Sequence, residues 1–144
     1  MTQIAFLHGA ADRLQAVGDW LQRHCHDNAA VIVYTATDAQ SELLDHALWS
    51  ACPSSFIPHC RADDPLAAMT PVVIVNRLDQ LDLAPHSAYL LNFSAEIPPG
   101  FECFQHLIEI VSIDELDKQA GRERFRYYRE HGHSILSQDI SLGI

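Results

Sequence analysis

The sequence contains no phosphate-binding glycine motif. Neither GxxxxGK[ST] nor GxGxxG occurs in its 144 residues, and the first turn, LHGAAD, has Gly9 as its single glycine. A phosphate cradle needs several backbone N–H groups that converge on the anion, and glycines permit that close approach. A GxSxG nucleophile elbow is also missing. We therefore expect no nucleotide cofactor and no catalytic residues, so the sequence does not favour an enzyme.

Disulfide frameworks and long apolar runs are lacking as well. The four cysteines, Cys25, Cys52, Cys60 and Cys103, form no CxxC pair, and a domain of this size does not need disulfides, so we expect free thiols in a reducing compartment. No apolar run approaches the roughly 18 residues that span a bilayer. The N-terminus shows no basic region followed by an apolar stretch. These features predict a soluble, cytoplasmic protein with no membrane association.

Nine histidines raise the question of a metal site. None of the candidate groups has a zinc-site spacing, and histidines two apart on a helix point to different faces. We therefore expect no metal. The groups are His24 with His26, His131 with His133, and Cys52 with His59 and Cys60.

Positive charge is scarce and concentrated. The formal net charge is -10, with nine Lys and Arg against 19 Asp and Glu, which argues against a protein that grips nucleic-acid phosphates directly. We expect any DNA contact to run through another protein. Five of the nine cations nevertheless fall within twelve consecutive positions: Lys118, Arg122, Arg124, Arg126 and Arg129.

The segment that carries these cations is predicted to be a helix, because it lacks proline and contains a single glycine. At 100° per residue, a stripe about 100° wide contains an aromatic ring and four cations. The opposite face, Leu116, Ala120 and Tyr127, is expected to pack on the domain together with Ile113. A solvated face with i,i+4 ion pairs is the alternative, but cations outnumber anions on the stripe, which favours a docking site for an anionic partner. The stripe consists of Lys118, Arg122, Phe125, Arg126 and Arg129.

Apolar runs alternate with amphipathic ones, which indicates βαβ units and a parallel sheet. The predicted fold is α/β: a single domain over residues 1–144 with a mostly parallel sheet flanked by helices, Rossmann-like but without a nucleotide site. Residues 51–71 are expected to be irregular, and residues 134–144 to be either a loose tail or a segment folded back on the domain. The predicted strands are residues 3–7, 30–34, 72–75, 88–93 and 107–111, and the predicted helices are residues 11–24, 38–49, with Thr37 as N-cap, and 113–130.

Trp49 and Phe56 flank the start of the irregular segment. Burial in the domain's own core is one reading of them. Aromatic residues are also enriched at the centres of protein interfaces, so an exposed surface for a protein partner is the other.

Two stretches resemble one protein family. The phrase LLDHALWSACPSSFIPH, followed closely by PVVIV, and the phrase KQAGRERFRYYREHG are similar to the chi subunit of the bacterial DNA polymerase III holoenzyme. The resemblance covers about residues 41–75 and 107–132. It implies a non-enzymatic accessory subunit of the clamp loader that binds the acidic C-terminal tail of single-stranded DNA-binding protein and, in many bacteria, the psi subunit. Such a protein is expected to act as a monomer within a larger assembly.

The resemblance also implies site residues. The tail-binding pocket would involve Val111, Lys118, Arg122 and Phe125, and the psi-facing surface would include Trp49 and Phe56. The family more often has Tyr where Phe125 stands, and usually Ala where Gly121 stands.

The residues fit this implication in chemical terms. An acidic peptide that ends in a bulky apolar residue presents a terminal carboxylate, further carboxylates upstream and one apolar side chain. The planar fork of Arg122 suits the terminal carboxylate, while Lys118, Arg126 and Arg129 attract the upstream acids as point charges. Two alternatives stay open: a nucleotide-dependent enzyme on a Rossmann-like fold, and a direct single-stranded nucleic-acid binder. The second would use Arg122, Arg126, Phe125, Tyr127 and Tyr128.

Overall fold

The central sheet is parallel. A computed structural model describes residues 2–25, 30–50, 59–61, 72–76 and 88–141, and in these ranges neighbouring strands pair in parallel throughout. The strands are β1 (Gln3–Ala10), β2 (Val31–Tyr34), β3 (His59–Arg61), β4 (Val72–Val75), β5 (Tyr89–Asn92), β6 (His106–Ser112) and β7 (Ser134–Asp139). Their order in the sheet is β3-β4-β2-β5-β6-β1-β7. The predicted α/β class is confirmed.

Helices cover both faces of this sheet. Strand β6 shows why, because its apolar side chains alternate between two buried clusters: Ile108 and Ile110 belong to one, and Leu107 and Val111 to the other. Such two-sided burial is typical of parallel sheets. Helices α1 (Arg13–Cys25) and α2 (Asp38–Ser50) contribute to the first cluster, and α3 (Glu115–Glu130) contributes to the second.

Helix α2 begins where the sequence predicted. The hydroxyl of Thr37 accepts a hydrogen bond from the Gln40 backbone N–H at 3.2 Å, and the Gln40 side-chain oxygen accepts one from the Ala36 N–H at 2.9 Å. The Gln40 N–H is one of the backbone donors that the first turn of a helix leaves unbonded, and the Gln40 side chain also bonds the residue that precedes the N-cap.

Strand β3 was not predicted. Its three residues, His59–Arg61, lie in the segment 51–71 that was expected to be irregular, and they pair with β4 in parallel. The strand was missed because the sequence His-Cys-Arg has no apolar run to signal it. The rest of that segment lies outside the described residues.

Residues 134–141 do not form a loose tail. Strand β7 pairs with β1 in a register that runs from Gln3 opposite Ser134 to His8 opposite Asp139. Gly132, with φ of 78°, follows the end of α3. Glycine adopts this left-handed conformation without strain, so the chain can leave the helix and turn towards β1.

The packing face of α3 differs from the predicted one. Leu116 is 77 % exposed and Tyr127 is 37 % exposed, whereas the buried residues are Gly121, Arg124 and Tyr128. The prediction chose the apolar residues of the helix as its packing face and gave Arg124 no part in the packing. Arg124 instead faces a buried carboxylate on β6, which sets the rotation of the helix about its axis.

Candidate functional site

A buried polar cluster fixes α3 on the sheet. Glu109 of β6 is fully buried, and its carboxylate accepts hydrogen bonds from Arg124 Nε at 3.1 and 3.2 Å, from Asn92 Nδ2 at 3.0 Å and from the Tyr128 hydroxyl. Arg124 also donates to the carbonyl of Ala95 at 3.2 Å. Burial, reinforced by the neighbouring Glu109, raises the pKa of Tyr128 above its ordinary value, so the phenol stays a hydrogen-bond donor.

A second polar cluster holds the first turn of α3. The Asp117 carboxylate accepts from both the backbone N–H and the hydroxyl of Ser112, at 2.7 and 2.8 Å, and lies 3.8 Å from Arg13. Arg13 donates to the carbonyls of Ile110 and Ser94, each at 2.9 Å. Burial lowers the pKa of the Arg13 guanidinium. The N-terminal turn of α3 is therefore tied to the ends of two strands and to α1.

Sequence reasoning missed both clusters, although one signal was present. Glu109 interrupts the apolar run HLIEIVS, and a charged residue inside a strand that is buried on both faces needs a partner in the fold. Arg124 is spaced three residues from Gly121 and four from Tyr128, which places all three on one side of the helix.

A cleft runs between α3 and the strands β1 and β7. Its volume is about 250 Å³. The rings of Phe6 and Phe125 meet edge to face, with centroids 5.3 Å apart, and form part of an apolar lining with Val111. The lining residues are Phe6, His8, Val111, Lys118, Gly121, Arg122, Phe125 and Ser137.

Gly121 allows α3 to lie close to β6 at this cleft. A Cβ atom at residue 121 would stand 2.8 Å from Val111 Cγ2 and 3.1 Å from Val111 Cγ1, distances that carbon atoms do not tolerate without movement. The absence of a side chain at Gly121 therefore leaves room for the branches of Val111.

An open groove adjoins the cleft along α3. Its volume is about 460 Å³, and it shares Arg122 and Phe125 with the cleft. Arg126, Arg129 and Glu130 complete its lining. The structure thus brings together all six residues predicted for the tail-binding site: Val111, Lys118, Arg122 and Phe125 in the cleft, and Arg126 and Arg129 beside it.

The cations of this site have few carboxylate neighbours. Lys118 lies 3.7 Å from Glu115 in an exposed i,i+3 pair. Within the described part of the chain, Arg122, Arg126 and Arg129 form no ion pair with a carboxylate, whereas Arg124 is paired with Glu109. Three exposed guanidinium groups therefore remain available to an external anion.

The residues predicted for a partner surface are not placed. The backbone of Trp49 belongs to α2, but its side chain and the whole of Phe56 lie outside the described residues. Among the described residues, no group of three or more His, Cys, Asp and Glu is arranged to hold a metal ion. In those same ranges, no helix has the length and apolar character needed to cross a membrane.

The turn between β1 and α1 carries negative charge. The carboxylate of Asp12 accepts hydrogen bonds from the backbone N–H groups of Leu14 and Gln15 at 2.9 and 3.3 Å. These are the donors that would face a phosphate in a dinucleotide-binding fold. Asp12 already occupies them and would repel an anion.

The aromatic residues of α3 are divided between different surroundings. Tyr128 is fully buried, and Tyr127 stacks on His131, with ring centroids 4.0 Å apart. Phe125 is the aromatic residue of this helix that lines the cleft and the groove. A row of stacking platforms for bases is therefore not present along α3.

These features define a parallel α/β protein, with helices on both faces of the sheet and a cationic cleft beside its last helix. The chain matches the family described as "DNA polymerase III chi subunit, HolC" over residues 1–136. It therefore belongs to the DNA polymerase III chi subunit family, and the resemblance inferred from the sequence is confirmed.

Three curated relatives support this assignment, and each is called DNA polymerase III subunit chi. The protein of Pseudomonas aeruginosa is 31 % identical over 125 residues, which cover 85 % of this chain and 83 % of that protein. The protein of Haemophilus influenzae is 27 % identical and covers 76 % of this chain and 75 % of its own length. The protein of Escherichia coli is 26 % identical over a region that covers 73 % of this chain and 70 % of that protein.

Proposed function

We propose that this protein is a non-catalytic accessory subunit of DNA polymerase III, and that the cleft beside α3 binds the acidic C-terminal tail of single-stranded DNA-binding protein. The observation that carries the proposal is the position of Arg122 and Phe125, which line both the cleft and the adjoining groove. A peptide terminus at this junction meets a cation and an apolar surface at once.

Arg122 suits the terminal carboxylate of such a peptide. A guanidinium presents parallel N–H donors that match the two oxygens of a carboxylate, and charge-assisted pairs of this kind are stronger than neutral hydrogen bonds. Arg122 is exposed on α3, and the polar clusters around Glu109 and Asp117 hold that helix in place. The binding group is thus presented on a fixed element, which lowers the entropic cost of binding.

The apolar lining of the cleft suits the last side chain of the peptide. Phe6, Phe125 and Val111 supply contact surface, and Gly121 lets α3 lie close to Val111, so that helix and sheet line the cleft together. Burial of apolar surface contributes about 25 cal/mol per Å², so a large terminal residue adds affinity that does not depend on charge.

The groove suits the acidic residues that precede the terminus. Arg126 and Arg129 lie along it, where they attract carboxylates as exposed point charges. The rest of this acidic chain, with its net charge of -10, repels other anions. Specificity for an acidic tail then comes from one local patch.

A second surface would connect the protein to the clamp loader. From the resemblance to the chi family, Trp49 and Phe56 would contact psi, at a place well separated in sequence from α3. With two surfaces, the protein would bridge single-stranded DNA-binding protein to the clamp loader in the cytoplasm and contact DNA only indirectly. The acidic cap at Asp12 disfavours a nucleotide-dependent enzyme, and burial of Tyr128 disfavours direct binding of single-stranded nucleic acid.

Calorimetric titration tests the proposal. The ligand is an N-acetylated peptide that copies the C-terminus of the cognate single-stranded DNA-binding protein, and the control is the same peptide with a C-terminal amide. We expect saturable binding of the first and about tenfold weaker binding of the second, because amidation removes the terminal charge and costs one charge-assisted hydrogen bond. Equal affinity for the two peptides would contradict the proposed role of the terminus.

A further inference from the structure

The sheet side of the cleft carries a histidine. His8 lies on β1 and lines the cleft opposite Lys118 and Arg122. Side chains two positions apart on a strand share one face, so His8 is on the same side as Phe6, whose ring contacts Phe125. The His8 side chain is exposed, and within the described residues its imidazole has no hydrogen bond or ion pair at bonding distance.

We infer that His8 is a further anion-binding residue of the cleft, and that its protonation strengthens the binding of an acidic peptide as the pH falls from 8 to about 6. The inference rests on the proposed function of the cleft. Histidine is the side chain whose charge ordinarily changes between about pH 5 and 8. A peptide carboxylate held between Arg122 and the sheet would favour the charged form of His8, and charged His8 would in turn favour the peptide.

The charges around His8 come from three elements. Helix α3 supplies the cations Lys118 and Arg122. Strand β7 supplies Asp139, the partner of His8 in the strand register. Hydrogen bonds from Ser141 lower the pKa of Asp139, and His8 acts in the same direction, so Asp139 remains ionised throughout this pH range. Strand β6 supplies Glu109, which is buried and paired with Arg124.

These surroundings limit the size of the effect without removing it. In the empty cleft, the cations of α3 lie on one side of His8 and Asp139 lies beside it on β7. A bound peptide would add negative charge on the side of the cations, and this added charge favours a positively charged His8 in the complex. Because the ion pair between His8 and the peptide carboxylate would be exposed to solvent, we expect protonation to raise affinity about three- to fivefold. This gain corresponds to the upper half of the range for exposed ion pairs.

The test is a series of calorimetric titrations with the N-acetylated tail peptide at pH 6.0, 7.0 and 8.0 and constant ionic strength. Acetylation removes the α-amino group, and carboxylates titrate well below this range, so the peptide charge stays constant. The variant is His8→Gln, which keeps a polar side chain but cannot become charged. The matched control is His131→Gln, because His131 is exposed beside Tyr127, on the face of α3 away from the cations.

We expect affinity to rise about three- to fivefold between pH 8.0 and 6.0 in the wild type and in His131→Gln, and to stay constant in His8→Gln. Proton NMR of the His8 ring should show its titration midpoint move to higher pH when peptide is bound, by the reciprocity of linked equilibria. The inference is overturned if His8→Gln retains the wild-type pH dependence or if the midpoint does not move. Absence of peptide binding at every pH would overturn the proposed function as well.

Discussion

Two helical glycines provide a matched test of how α3 packs on the sheet. Gly18 lies in α1 and Gly121 in α3, and alanine is favoured over glycine in a helix interior by about 1 kcal/mol. A Cβ atom at Gly18 meets no atom within 4 Å, whereas at Gly121 it would lie 2.8 and 3.1 Å from the two Val111 methyl carbons. Gly18→Ala should therefore raise the free energy of unfolding by about 1 kcal/mol.

Gly121→Ala should gain the same stability from helix propensity, but steric overpacking against Val111 should offset or exceed that gain. Forcing an extra carbon into a filled site costs about 1 to 3 kcal/mol, so the net change should lie between zero and a loss of about 2 kcal/mol. Urea unfolding followed by circular dichroism measures both variants. A double-mutant cycle with Val111→Ala isolates the contact, because removal of the valine branches relieves the strain. Equal stabilisation by Gly121→Ala and Gly18→Ala, with no coupling to Val111, would refute this account of the packing.

Raised salt should reduce the contribution of Lys118 to the tail-binding free energy, because exposed charges are screened over about 8 Å at physiological ionic strength. The apolar contribution of Phe125 should persist. If the affinity lost in Lys118→Ala and in Phe125→Ala depended equally on salt, this separation into an electrostatic and an apolar contribution would be wrong. Tyr128→Phe should lower the free energy of unfolding by about 1 to 3 kcal/mol, because buried Glu109 loses a donor. Burial raises the pKa of Tyr128 in the folded protein, so above about pH 10 the phenol ionises more readily in the unfolded chain and the free energy of unfolding should fall. Urea unfolding at about pH 7 and about pH 11 should show a smaller decrease for Tyr128→Phe than for the wild type. Phe56→Ala should abolish capture of psi and leave tail binding intact. The loss of unfolding free energy should be far smaller than the roughly 3 to 5 kcal/mol that truncation of a core aromatic residue costs. A large drop in thermal stability would instead indicate that Phe56 is a core residue.

The strands that the sequence predicted are rich in apolar residues, and in two of them the apolar run is continuous. VIVY of β2 and VVIV of β4 are buried along their whole length, and such runs are typical of parallel strands with helices on both faces. Strand β3 has no such run and was missed, because pairing with β4 rather than its own composition determines its structure.

The cationic residues of the site were predicted from local sequence, but the orientation of α3 was not. A helical wheel shows which residues share a face and does not show which face meets the sheet. That choice depends on Glu109, fifteen residues before Arg124 in the chain. His8 was missed for the same reason, because it reaches the cleft only through the pairing of β1 with β6 and β7.

The affinity of the tail peptide for Arg122→Ala, compared with Arg23→Ala, tests the central claim most directly. Both substitutions remove one exposed arginine, but Arg23 belongs to α1 on the opposite face of the sheet. Calorimetry should show a loss of about 1.5 to 3 kcal/mol of binding free energy for Arg122→Ala, the range of a charge-assisted hydrogen bond, and a much smaller change for Arg23→Ala. Equal affinities of a folded Arg122→Ala protein and the wild type would contradict the assignment of this cleft to the tail.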